Sequence, residues 1–378
     1  MASGGLWQWR FPRGAARSVR TARPQRRALL LRVTSALAAG LACCAAARVL
    51  AHGRSLETLV AAGASADSVP ASEALAAASA DAQTGSSTAG PDDLLIVGAG
   101  FLGRIVARSW LAAHSGARVV GVTRTDACHA ELRSQGIEAI TAADLAAGAW
   151  REAAFANIVF SAPPRTRSSA DPGAYAAAVR EALSHWSPPA GDRAAGGAGA
   201  FVLTSSGGVI AEDAGGIVHE ASPVSDSPRS RILLEAEDLV RKAGGVVLRL
   251  AGLYDTERGA HAYWLKAGTV TGNPEGIINQ LHYADAAGAV IAALNQGRAL
   301  RGELALVGDD EPMTRRAIVE SALAAPAFNG YPAPAFDGGD GGYGGSGLGK
   351  RYDVRHAHDA LRWSPRYPSF AHFMATTR

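Results

Sequence analysis

Cysteine and lysine are both scarce in this chain. Only Cys43, Cys44 and Cys128 occur, two of them adjacent near the N-terminus, so neither a disulfide framework nor a cysteine-built metal centre is expected. The three lysines are Lys242, Lys266 and Lys350, and four residues before them stand Asp238, Ala262 and Ser346. No lysine therefore has a tyrosine four residues ahead of it. Acidic residues are missing before Glu57, although ten of the 37 basic residues lie there. The other 27 basic residues face 34 acidic ones, so the body is mildly acidic despite a formal net charge of +3. That balance gives no ground for a nucleic-acid partner. Long apolar runs are lacking too. The uncharged stretch between Arg32 and Arg48 is too short to cross a bilayer comfortably, and no stable membrane span is expected in the mature chain.

Residues 1–56 are rich in Arg, carry Ser and Thr, and lack acids, the composition of an organelle transit peptide. Chloroplast is the expected destination, with mitochondrion as the alternative. Residues 57–91 are rich in Ala, Ser, Gly and Asp and read as a disordered linker.

The body is organised around Leu94-Leu95-Ile96-Val97-Gly98-Ala99-Gly100-Phe101-Leu102-Gly103. Four apolar residues suit a strand buried on both faces. The glycines follow as G-x-G-x-x-G and lead into a stretch of helical apolar spacing. Gly98 permits the tight turn, Gly100 lets backbone approach a pyrophosphate, and Gly103 lets helix and strand pack closely. The loop residues Phe101 and Leu102 complete this cofactor-binding set. Strand and helix then alternate. Strands are predicted over 117–123, 136–140, 156–161, 200–204, 246–250 and 304–307, with helices over 126–135, 175–186, 232–242 and 285–294. This predicts an α/β fold, a doubly wound parallel sheet of Rossmann type, with a small C-terminal substrate lobe. The dinucleotide-binding domain is expected over 92–252 and the lobe over 253–378.

About 20 residues past the last glycine, the end of the second strand reads the adenosine ribose. Thr123 and Arg124 stand there. A guanidinium binds a 2′-phosphate where a carboxylate would repel it, so NADP is expected. Asp126 lies close enough to hold a ribose hydroxyl, which leaves NAD open. Ser161-Ala162-Pro163 leaves the fourth strand at its C-terminal edge, where ligands of open α/β sheets bind.

Further segments are Thr204-Ser205-Ser206-Gly207-Gly208-Val209, Leu248-Arg249-Leu250-Ala251-Gly252-Leu253-Tyr254, Asn279-x-x-His282-x-x-Asp285, Lys350-Arg351-Tyr352 and Leu361 to Phe370. With the glycine loop they make the chain resemble the NAD(P)-binding epimerase/dehydratase-type proteins of the extended and atypical short-chain dehydrogenase/reductase superfamily, from about Asp92 to Phe373. That resemblance implies hydride transfer at a carbonyl or alcohol carbon of a small molecule, with a sugar-linked substrate among the options. It also implies a Tyr-x-x-x-Lys pair on the helix after the fifth strand, which this chain lacks. Arginines and leucines occupy that helix, and arginine does not shuttle a proton near neutral pH. Ser205, where the family places a substrate-polarising hydroxyl, is a candidate for substrate and nicotinamide contact. Tyr254 is a candidate for a phenol in the cleft. The alternative is a catalytically inactive NADP-binding redox sensor or assembly scaffold.

Overall fold

The computed structural model describes residues 89–151, 153–164, 173–187, 199–338 and 347–377. The expected transit segment and nearly all of the expected linker lie outside them, as do residues 339–346 of the glycine-rich stretch near the C-terminus.

Seven strands form one parallel sheet. They are β1 (Leu94–Val97), β2 (Val119–Thr123), β3 (Ile137–Thr141), β4 (Asn157–Phe160), β5 (Phe201–Ser206), β6 (Val246–Leu250) and β7 (Leu304–Val307), in the order β7-β6-β5-β4-β1-β2-β3. The order reverses at β1: Leu94 pairs with Val119 of β2 on one side and Asn157 of β4 on the other. Ligands of doubly wound sheets bind at this reversal, beyond the C-terminal strand ends.

Strand periodicity sorts the core into two layers. Leu94 and Ile96 face one layer together with Val119, Val159, Val202 and Leu248. Helices α1 (Phe101–Ala113) and α5 (Tyr283–Gln296) cover that layer. Leu95 and Val97 face the other with Val120, Phe160, Leu203 and Val247, under α3 (Ala174–Ser184) and α4 (Pro228–Ala243). The short α2 (His129–Ser134) links β2 to β3. Each aliphatic side chain buried this way stabilises the fold by roughly 1.5–3 kcal/mol. Helix α4 starts a turn before the expected Ile232. Ser227 caps it by accepting from Ser230 N, and Pro228 stands in the first turn, where its missing N–H costs nothing.

The described residues from 89 onwards fall in one compact unit. Strand β7 returns to the main sheet beside β6, and α5 packs in the same layer as α1. Residues beyond β6 build a smaller apolar cluster around Tyr254, Trp264, Ile318, Phe328, Phe370 and Phe373. A four-stranded sheet lies alongside, containing Ala214–Val218 and Gly349–Tyr352 in parallel.

Two glycines fix the start of the fold. Gly98 has φ +98°, and a Cβ there would lie 2.4 Å from Ala162 N. A Cβ on Gly103 would lie 2.7 Å from Gly98 O and 3.1 Å from Ile96 Cγ2. Neither place has room for a methyl group without backbone movement. Replacing Gly103 by Ala is expected to destabilise the protein by about 2–4 kcal/mol through overpacking, read as a lowered urea midpoint.

Candidate functional site

The site is built at the C-terminal edge of β1, β4, β5 and β6. Gly100 is the N-cap of α1 and offers no side-chain cap to the first-turn N–H groups. A Cβ on Gly100 would find its nearest neighbour 4.0 Å away, at Gly98 O. No protein contact demands glycine here. The space in front of Gly100 and the uncapped helix end form a cradle for an anion. The side chain of Leu102 is buried in the layer under α1, which leaves its N–H for that role. Phe101 is 40% exposed and meets Tyr283 edge to face at 4.6 Å. The Arg258 guanidinium lies 4.2 Å from the Phe101 ring centre, bringing a cation beside the loop. Sequence reading missed Arg258, because it stands in no motif and is 157 positions from Phe101.

Ser161 Oγ donates to Gly98 O at 2.8 Å, tying the end of β4 to the turn after β1. Ala162 O accepts from Tyr175 Oη at 3.1 Å, and Pro163 is exposed. At the end of β2, Thr123 Oγ1 donates to Thr125 O at 2.8 Å and lies 2.8 Å from His129 Nε2, so that hydroxyl is already engaged. Arg124 is exposed and makes no ion pair among the described residues.

Ser205 and Tyr254 take places other than those expected. Ser205 is buried and donates from Oγ to Glu237 Oε1 at 2.5 Å. Glu237 of α4 also receives Arg249 of β6, with Nε 3.1 Å from each carboxylate oxygen and Nη2 2.7 Å from Oε2. Arg249 and Glu237 are both buried. Their charges compensate each other, and Ser205 fills a remaining lone pair of the carboxylate. Its hydroxyl is therefore committed to the core rather than to a substrate.

Tyr254 is fully buried among aromatic rings, with Phe370 at 5.0 Å and His282 at 5.4 Å, and does not reach a cleft. Among the described residues its hydroxyl has no hydrogen-bond partner, nor have Gln280 Oε1 and both carboxylate oxygens of Asp309. Burial, reinforced by Asp310, Asp285 and Glu311, pushes the Asp309 carboxyl up to about 9. Asp309 is thus neutral at neutral pH.

The Asn279-x-x-His282-x-x-Asp285 segment is a row of tethers. Asn279 Nδ2 donates to Lys350 O at 2.9 Å, and its Oδ1 accepts from Tyr352 N at 2.8 Å. His282 caps α5 by accepting from Ala284 N. Asp285 accepts from Arg366 N and Tyr367 N at 2.9 and 3.1 Å. The clamp at Asn279 places the strand Gly349–Tyr352 across the ends of β5 and β6. A cleft of about 290 Å³ opens there, lined by Ser206, Leu250, Ile278, Asn279, Lys350 and Tyr352 among others.

On α4, Arg229 is exposed and Leu233 is buried in the core under the helix.

Two outcomes follow from these placements. Replacing Ser205 by Ala removes a hydrogen bond to a buried carboxylate and should cost about 1.5–3 kcal/mol of stability in a urea melt. Asp309 has a folded pKa above its unfolded value, so its stabilising contribution is complete below about pH 4 and is lost as pH rises towards 9. Asp309→Asn should remove that loss. The variant should exceed the parent in stability by at least about 1.4 kcal/mol near pH 8, with the gap closing in acid.

No family model and no curated protein matches the chain. Solved structures do match in fold. A UDP-glucuronic acid 4-epimerase from Bacillus cereus, in complex with UDP-glucuronic acid and NAD, is 18% identical with a TM-score of 0.60. The match covers 75% of this chain and 96% of that one. A dTDP-glucose 4,6-dehydratase from Bacillus anthracis in complex with NAD is 15% identical with a TM-score of 0.58, over 75% of this chain and 94% of that one. A protein from Silicibacter pomeroyi, described as functionally unknown and conserved, is 20% identical with a TM-score of 0.58, over 75% and 96%. The chain thus has the Rossmann-type α/β fold of these epimerases and dehydratases.

Proposed function

We propose that this chain is an atypical short-chain dehydrogenase/reductase that binds a nicotinamide dinucleotide across the C-terminal edge of β4, β1 and β2. The observation that carries the reading is Gly100: an uncapped helix end faces space that a single methyl group would obstruct. The bound dinucleotide supplies a hydride donor and acceptor. Gly98 to Gly103 would hold its pyrophosphate, with Arg258 beside them as a counter-charge. Ser161 to Pro163 would line its path towards the cleft. The solved neighbours named as NAD complexes support a nicotinamide dinucleotide. Arg124, exposed at the end of β2 and in no ion pair among the described residues, supports NADP over NAD.

The activity is proposed as that of an oxidoreductase or epimerase/dehydratase-type enzyme on a small carbonyl, alcohol or sugar-linked substrate. The acid-free, Arg-rich first 56 residues support an organellar protein, chloroplast before mitochondrion. One observation favours a second reading. Arg229 and Leu233 leave α4 without the expected phenol and ammonium, as in an NADP-binding redox sensor or scaffold. Dinucleotide binding without turnover, with product analysis to reveal redox-neutral epimerisation, separates the two.

Titration calorimetry tests the cradle. Gly100→Ala should change stability by under about 1 kcal/mol, the scale of an N-cap substitution, yet weaken NADPH binding at least tenfold, about 1.4 kcal/mol. Arg124→Ala should weaken NADPH by about 10–100-fold and NADH by no more than about twofold. Equal loss for both coenzymes would remove the assignment of NADP.

A further inference from the structure

The strand Gly349–Tyr352 crosses the cleft with two chemically active side chains on one face. Lys350 and Tyr352 are two residues apart on an extended strand, so they point the same way, with Cα atoms about 6–7 Å apart. Both line the cleft at the ends of β5 and β6, together with Ser206. Arg351, between them, is exposed on the other face. Asn279 grips the backbone of this strand at Lys350 O and at Tyr352 N, so both side chains are held in register with the sheet edge. Gly207 admits the phenol: a Cβ there would lie 2.1 Å from Tyr352 Oη. The Tyr352 hydroxyl makes no hydrogen bond among the described residues. Lys350 Nζ donates to Ile210 O, which uses one of its three protons.

We propose that Tyr352 and Lys350 are the catalytic hydroxyl and cation of this cleft, in place of the pair absent from α4, and that their substrate is a small aldehyde or ketone. This rests on the dinucleotide reading above. Two donors at this spacing can both approach one oxygen placed between them, at the 2.7–3.1 Å that stabilises a developing oxyanion. Leu250, Ala251, Ile277 and Ile278 offer the rest of the molecule an apolar wall. A volume of about 290 Å³ lies at the small end of ligand pockets, which span about 300–1,000 Å³.

The step balances. The carbonyl carbon gains a hydride from the reduced dinucleotide, and its oxygen gains the Tyr352 proton. The C=O π bond is lost while C–H and O–H bonds form. Lys350 returns a proton to the phenolate and recovers it from solvent. Burial keeps Tyr352 a neutral donor, raising its phenol against the pull of Arg249. An alkoxide is basic enough to take that proton. Burial also lowers the Lys350 ammonium, while Asp213 and Glu212 facing it oppose the shift. Lys350 therefore exchanges its proton nearer neutrality than a surface lysine does.

The test uses the full chain. Acetic anhydride labelling from about pH 6 to pH 11, read by mass spectrometry, should show Lys350 titrating below the ordinary lysine value. A Lys350 that titrates at or above that value overturns the proposal and needs no variant to show it. With NADPH and a panel of small aldehydes and ketones, Tyr352→Phe should lower turnover at least about 100-fold and Lys350→Met at least about tenfold. NADPH affinity should stay within about twofold of the parent in both, and the surface variant Lys242→Gln should change neither quantity. Absence of NADPH binding sinks the dinucleotide reading and this proposal with it. Intact binding without reduction of any carbonyl in the panel, or with Tyr352→Phe as fast as the parent, sinks this proposal alone.

Discussion

The contact between Gly98 and the backbone of Ser161 and Ala162 sets the geometry of the whole C-terminal edge. Where β1 ends, the chain turns with a positive φ and passes within van der Waals reach of the segment leaving β4. Ser161 closes the same junction with a hydrogen bond to Gly98 O. Because the strand order reverses between these two strands, the junction is also the floor of the crevice in which a ligand would lie. Helix α1 then starts close to the sheet, since Gly103 has no side chain to hold it off. The uncapped helix end, the phenylalanine ring beside it and the guanidinium on that ring all take their positions from this start.

The fold was legible in the chain because its cues are local. Unbroken runs without polar residues over Leu94–Val97 and Val119–Val122 report strands buried on both faces, and the glycine spacing reports the turn between strand and helix. Helix α4 was under-read by a turn because Ser227 and Pro228 signal a start through capping rather than through apolar spacing. The site was legible only where a backbone feature defines it. Gly98, Gly100 and Gly103 stand where their spacing implies. Side-chain roles were not legible, because they depend on partners far along the chain. Ser205 meets Glu237, 32 residues away, and Asn279 meets Lys350, 71 residues away. Tyr254, expected at a cleft, is sealed in by Phe370 and Phe373, more than a hundred positions further on.

The C-terminal residues work as a brace across the site. Asn279 and Asp285 stand six positions apart in one short segment, yet they bind backbone at Lys350, Tyr352, Arg366 and Tyr367. A side chain that bonds backbone fixes where a segment runs without dictating what that segment carries. The residues lining the cleft from Gly349 to Tyr352 can therefore vary in chemistry while the strand keeps its place. That arrangement suits a fold whose neighbours act on different substrates through one architecture.

The buried trio of Ser205, Glu237 and Arg249 has an evolutionary corollary. Loss of either charged member alone strands the opposite charge away from water, a penalty of about 3–5 kcal/mol that a protein of ordinary stability tolerates poorly. A joint exchange for well-packed apolar side chains avoids it. Descendant lineages should hence inherit the arginine and the glutamate as a linked pair or lose both together, and intermediates with one of the two should be rare. In such an epistatic unit each partner's replaceability is set by the other's presence.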